Sequence, residues 1–239
     1  MAILEGKGVT KYFGGLAAVS NVDFHVDHGE VLGLIGPNGA GKTTLFGLIS
    51  AAYIPKPGLI RFKGENITGL KPHHICRQGL ARTFQSVKIF PNMPVINNVT
   101  LGVHFGTPER VPSAKATEEA ARLLKFVGLS GMESIPARDL TLVNQKLVEV
   151  ARALATKPEV LLLDEIMAGL NPTEIAQAME LVSKIRAQGI TILMIEHVMK
   201  AIMSVCDRIM VLHHGEKIAE GTPQEIATSE TVIKVYLGE

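Results

Sequence analysis

The run Gly36-Pro37-Asn38-Gly39-Ala40-Gly41-Lys42-Thr43-Thr44 has the spacing G-x-x-x-x-G-K-[ST]. Small residues in this pattern let successive backbone N–H groups point into one concavity, and the positive end of a following helix adds to the field. Such a loop cradles phosphates. Lys42 would reach the β- and γ-phosphates of a nucleoside triphosphate, and the Thr43 hydroxyl would take a Mg²⁺ ion. A second pattern, Val160-Leu161-Leu162-Leu163-Asp164-Glu165, reads as a buried strand ending in two carboxylates. Asp164 would hold the Mg²⁺ shell at the sheet's C-terminal edge, and Glu165 would orient or deprotonate an attacking water.

Both motifs need a parallel sheet beneath them, and the patterning predicts one. Short apolar runs at Val31–Ile35, 160–163, 190–195 and 208–212 alternate with helix-length amphipathic segments, the signature of an α/β fold. A helix is expected from Lys42, others over Pro172–Ala187 and 198–205, with Gly189 as a C-terminal stop. Alternation around residues 22–26 suggests an antiparallel β flank. Residues 86–158 carry Pro91, Pro94, Pro108 and Pro112, then helical runs at 117–127 and 145–156, and read as an inserted helical subdomain. The expected organisation is therefore a nucleotide-binding core of residues 1–85 and 159–239 around a helical segment, 86–158.

The chain has 239 residues, with 24 Lys+Arg against 23 Asp+Glu, a net charge of +1. That balance argues against a nucleic-acid binder. The hydrophobic share of 46% argues against extensive disorder. Mean hydropathy is positive, yet no apolar run approaches the ~20 residues of a transmembrane helix. The start, Met1-Ala2-Ile3-Leu4-Glu5, lacks a signal-peptide profile, and Cys76 and Cys206 have no metal-ligand spacing. The expectation is a cytoplasmic chain that reaches a membrane only through a partner. The doublets His73-His74 and His213-His214 do not suggest a metal site, since adjacent residues do not share a helix face.

With these motifs the sequence resembles an ABC transporter ATPase subunit over nearly its whole length, a P-loop NTPase core with an antiparallel flank and a helical subdomain. Thr83-Phe84-Gln85 resembles the Q-loop, whose glutamine senses Mg²⁺ and the membrane partner. Ile195-Glu196-His197 resembles the switch histidine segment, placing His197 at the γ-phosphate. Phe13 stands where the family stacks an aromatic ring on adenine, and Ala168-Gly169-Leu170-Asn171 resembles the D-loop. Phe13-Gly14-Gly15-Leu16-Ala17-Ala18-Val19, Gly169-Leu170-Asn171-Pro172 and residues 235–239 resemble the branch that serves branched-chain amino acid importers, with related importers for amides, urea or aromatic acids also open. The resemblance implies ATP and Mg²⁺, an ATPase homodimer or heterodimer, permease subunits in the membrane and, indirectly, an extracytoplasmic substrate-binding protein.

The sequence departs from the family at its signature motif, commonly LSGGQ. Counting back from Ala151-Arg152-Ala153-Leu154 lands on Leu140-Thr141-Leu142-Val143-Asn144, whereas Leu129-Ser130-Gly131-Met132-Glu133 lies too early and reads as a loop after a helix. The resemblance implies that Thr141 and Asn144 face ATP held by the opposite subunit. Val143 replaces the second glycine, and its branched side chain is expected to crowd the phosphate. Ile166 stands where a proline usually follows the glutamate and is expected to loosen Glu165. Two rivals stay open: an ATP-dependent dimerising module with weak hydrolysis, and a P-loop kinase or repair-type ATPase.

Overall fold

Alternating residues at the start of the chain form a long hairpin. β1 (Ala2–Phe13) and β2 (Leu16–Asp27) pair antiparallel around a turn at Gly14-Gly15, with Gly14 at φ 58°. β4 (Leu59–Phe62) adds to β1, and β5 (Glu65–Asn66) to β4, giving the order β2-β1-β4-β5. The structure, a computed structural model, describes residues 1–237. Gly238 and Glu239 of the terminal motif lie outside the described residues.

The chain forms two compact units, Met1–Pro72 with Leu163–Glu239, and His73–Leu162. In the first unit β3 (Val31–Ile35) lies between β8 (Thr191–Ile195) and β9 (Arg208–His213), parallel to both, and β10 (Glu216–Gly221) returns antiparallel beside β9. Every residue of β3 and β8 is buried, which is why both read as unbroken apolar runs. Helices α1 (Lys42–Ile49), α6 (Pro172–Ala187), α7 (Met199–Val205), α8 (Pro223–Thr228) and α9 (Glu230–Leu237) complete the unit. α6 starts where its local chemistry says it must. Asn171 accepts the N–H groups of Thr173 and Glu174, Glu174 returns a bond to the Asn171 N–H at 2.8 Å, and Pro172 opens the helix.

The second unit holds β6 (Leu80–Arg82), most of α2 (Pro72–Gln78) and three packed helices, α3 (Val95–Phe105), α4 (Ser113–Phe126) and α5 (Leu142–Ala155). Gly102 lets α3 lie close to α5: a Cβ there would sit 2.4 Å from the Arg152 carbonyl oxygen. β6 pairs parallel with β7 (Val160–Asp164), Leu80 opposite Val160. β7 carries the chain into the first unit, where the Glu165 N–H donates to Ile195 O at 2.9 Å.

The second unit is wider than the expected segment 86–158 at both ends. β6 belongs with β7, and the bond from Thr83 N–H to Leu162 O (2.9 Å) extends their pairing. The runs expected at 117–127 and 145–156 both begin earlier, at Ser113 and Leu142, and α3 lies between Pro94 and Pro108, where no helix was expected. Among the described residues no helix is long and apolar enough to cross a membrane.

Candidate functional site

β3 ends at Ile35, and the chain turns through Gly36 (φ 149°), Gly39 (φ 80°) and Gly41 (φ 101°) into α1. Side chains are excluded twice over at two of these. A Cβ on Gly36 would lie 2.1 Å from Leu212 O, and one on Gly41 2.3 Å from Ala18 O. The first turn of α1 holds no acidic residue, so the positive helix end is kept for an anion. Lys42 is buried, and its Nζ donates to Gly36 O (2.7 Å) and Pro37 O (3.0 Å), curling the ammonium over the loop. Burial pushes its pKa below the ordinary lysine value, against the pull of the Glu165 and Asp164 carboxylates. Thr43 and Asn38 are exposed, Pro37 and Thr44 half-buried, and Ala40 accepts the Gly215 N–H at 3.0 Å.

A pocket of about 230 Å³ opens here, walled by Leu16, Ala18, Gly39, Lys42, Thr44 and His214. Sequence reasoning saw His214 only as half of a doublet; it reaches the pocket because the turn after β9 packs on the cradle, and no local pattern announces that. Phe13, at the exposed end of β1, meets Tyr53 edge-on at 5.3 Å between ring centroids, and Lys11 Nζ stands 5.3 Å from its ring.

Asp164 and Glu165 are both buried at the end of β7. Glu165 has φ 52°, a left-handed conformation unusual for a residue with a Cβ. It is held there from three sides: its N–H on Ile195 O, its carbonyl accepting the Ala168 N–H at 3.3 Å, and its Oε1 2.9 Å from His197 Nε2. The expected loosening by Ile166 is corrected by these contacts and by the burial of Ile166 and Met167 in the core. Glu196, between β8 and His197, was not singled out from sequence. It is buried and accepts the Met167 N–H at 2.8 Å, so it pins the turn that follows Glu165.

Cradle, carboxylates and His197 all belong to the first unit; Gln85, Thr141 and Asn144 belong to the second. Gln85 is exposed on the loop after β6. Thr141 caps α5, its hydroxyl oxygen accepting the Asn144 N–H at 3.3 Å, while Asn144 Nδ2 lies 3.5 Å from Met132 Sδ. The signature segment therefore does not precede the helix: Leu142, Val143 and Asn144 form its first turn. Val143 is helical and half-buried, so no unusual φ is demanded of it, and the conformational part of the argument against valine falls away. Residues 129–133 lie beyond α4, with Gly131 at φ 85° donating to Glu133, a loop as expected.

The family described as ABC transporter matches residues 19–168, a span holding the cradle, Gln85, the α5 cap and both carboxylates. This chain belongs to that family. The description branched-chain amino acid ATP-binding cassette transporter matches residues 216–239. The cassette is 42% identical to the high-affinity branched-chain amino acid transport ATP-binding protein BraF of Pseudomonas aeruginosa, over 99% of this chain and 98% of that protein. It is 40% identical to the LivG protein of the same description from Escherichia coli K12, over 99% of this chain and 98% of that one. In structure it is similar to the ATP-binding cassette MJ1267 in its ADP conformation, with TM-score 0.91 and 31% identity over 100% of both chains. The fold is thus the ABC-ATPase form of the P-loop NTPases.

As an ABC transporter ATPase the cassette binds and hydrolyses ATP, and the family uses Mg²⁺ with it. The residues fit both. Small residues shape the cradle, and Thr43 and Asp164 offer hard oxygen ligands. Mg²⁺ keeps several waters and needs only one or two protein ligands beside substrate phosphates.

Proposed function

We propose that this chain is the ATP-hydrolysing subunit of an importer for branched-chain or closely related amino acids. The observation that carries it is the Glu165 carboxylate 2.9 Å from His197 Nε2, in the same unit as the cradle closed over by Lys42. The names of the relatives, BraF and LivG, supply the substrate class.

Gly36 through Thr44 bind the triphosphate, with Lys42 on the β- and γ-phosphates and Phe13 stacked on adenine. Mg²⁺, when bound, neutralises charge building up on the phosphates, and Thr43, Asp164 and Gln85 would hold it. Glu165 orients the attacking water and accepts its proton. His197 holds Glu165 Oε1 and senses the γ-phosphate. Thr141 and Asn144, at the N-terminus of α5, face ATP on an opposing subunit, either a second copy or a different ATPase. Phe84, Phe90 and Phe105 are exposed on the second unit and offer apolar surface to permease subunits at the cytoplasmic membrane face. An extracytoplasmic binding protein would deliver the amino acid to those permeases.

One observation favours a second reading, an ATP-dependent dimer with weak hydrolysis. The branched side chain of Val143 stands in the first turn of α5, where a glycine would leave the helix N-terminus open. Reconstitution with permeases and binding protein tests both readings. Turnover that rises on adding leucine, isoleucine or valine is expected. No response to any of them contradicts the substrate assignment, and tight ATP binding with no stimulated turnover favours the second reading.

A further inference from the structure

Glu149 on α5 enters neither the sequence motifs nor the mechanism, yet it is buried at 3% exposure. A buried carboxylate is costly unless its oxygens are satisfied. Here they turn to the loop that carries Gln85. Oε2 accepts the Phe84 N–H at 3.3 Å and Oε1 the Lys88 N–H at 3.0 Å, one bond on each side of Gln85. Arg152, one turn further along α5, pairs with Glu149 Oε1 at 3.5 Å and donates to the Lys88 carbonyl, its guanidinium 6.0 Å from the Phe90 ring centre. Asn98 of α3, fully buried, closes the far end, accepting the Phe90 N–H at 2.8 Å and donating to its carbonyl at 3.1 Å. The loop is thus fastened through its backbone, which fixes its path and leaves the Gln85 side chain exposed. The same helix is capped by Thr141 in the signature segment, about 12 Å along the axis from Glu149 at the usual helical rise.

We propose that Glu149, charge-balanced by Arg152, is a positioning residue that sets Gln85 and ties its loop to the signature helix, so that phosphate engagement at the α5 N-terminus and the placing of Gln85 are one event. This rests on the reading of Gln85 as the residue that helps hold Mg²⁺ and the water. Glu149→Gln keeps one acceptor oxygen but turns an amide NH₂ toward one of the two loop N–H groups.

The test measures ATP turnover and affinity for a fluorescent ATP analogue in the reconstituted complex, for Glu149→Gln, Gln85→Ala and the double variant. Glu149→Gln is expected to lower kcat about tenfold, as misplacement of a reacting group does, with affinity unchanged within about twofold. The double variant is expected to be no slower than Gln85→Ala. Arg152→Lys keeps the charge but cannot grip the carboxylate and the Lys88 carbonyl together, and should give a smaller, equally non-additive loss. Additive losses, or affinity falling together with kcat in both the Glu149 and Arg152 variants, would overturn the proposal. Unaltered turnover in Gln85→Ala would instead contradict the reading of Gln85, and the proposal with it.

Discussion

A left-handed backbone at Glu165 stores strain of about 1–3 kcal/mol, and the contacts around it show what maintains it. The N–H bond to Ile195 and the Glu196 bond to Met167 fix the turn, and His197 fixes the carboxylate itself. His197→Ala removes only the last of these. It is expected to lower turnover by about 10²-fold, the low end for a misdirected general base, while leaving ATP affinity intact. Equal losses in both would place His197 in binding alone. A different residue reports on burial. Burial pushes the Cys206 thiol up to about 12, and Cys76 is also raised, chiefly by burial. A raised thiol pKa means the group stays protonated below that value, and only the thiolate attacks. In a Cys76→Ser variant at pH 8, Ellman's reagent should give no fast phase until the protein is unfolded. Reaction at the rate of a free thiol would contradict the packing of Cys206 beneath Gly33.

Elements with explicit boundary chemistry were readable in the sequence. α6 was expected over Pro172–Ala187 and is found there, because Asn171, Pro172 and Gly189 mark both ends. β3 was expected at its observed bounds, and β7 and β8 within one residue, because buried parallel strands have no polar alternation to blur. α3 was not readable. Its sequence, Val95 to Phe105, is rich in β-branched residues, Asn and Gly, all poor helix formers, and it stands on tertiary contacts such as buried Asn98 and the close approach at Gly102. Pro94 and Pro112, noted in the sequence without a structural assignment, are the residues just before α3 and α4. The phosphate cradle and both carboxylates were legible from local spacing, whereas Glu149, Glu196 and His214 act across long sequence separations that leave no local pattern. The α5 start also bears on Val143, which stands in the first helical turn. Val143→Gly should cost up to about 1 kcal/mol of stability, as glycine does in a helix. Turnover in the assembled complex should nonetheless rise, because the side chain no longer stands at the helix N-terminus. Turnover unchanged or lower would leave the steric account without support.

Across the whole chain, near-neutral charge conceals local contrast: the ammonium of Lys42 in the cradle and the carboxylates of Asp164 and Glu165 at the end of β7. The positive hydropathy belongs largely to buried strands and helix faces, with Phe84, Phe90 and Phe105 among the large apolar side chains left exposed. Replacing Phe90 with Asp should reduce recovery of the cassette with permease subunits while ATP affinity is unchanged; undiminished recovery would move the docking surface elsewhere. Central to the account is hydrolysis at Glu165 of ATP held by the cradle. Phosphate release at saturating Mg²⁺ and ATP, with nucleotide binding measured in parallel, tests it most directly in the reconstituted complex. Glu165→Gln is expected to bind ATP like the native chain and to release phosphate at least about 10²-fold more slowly. Native turnover in Glu165→Gln would contradict the account.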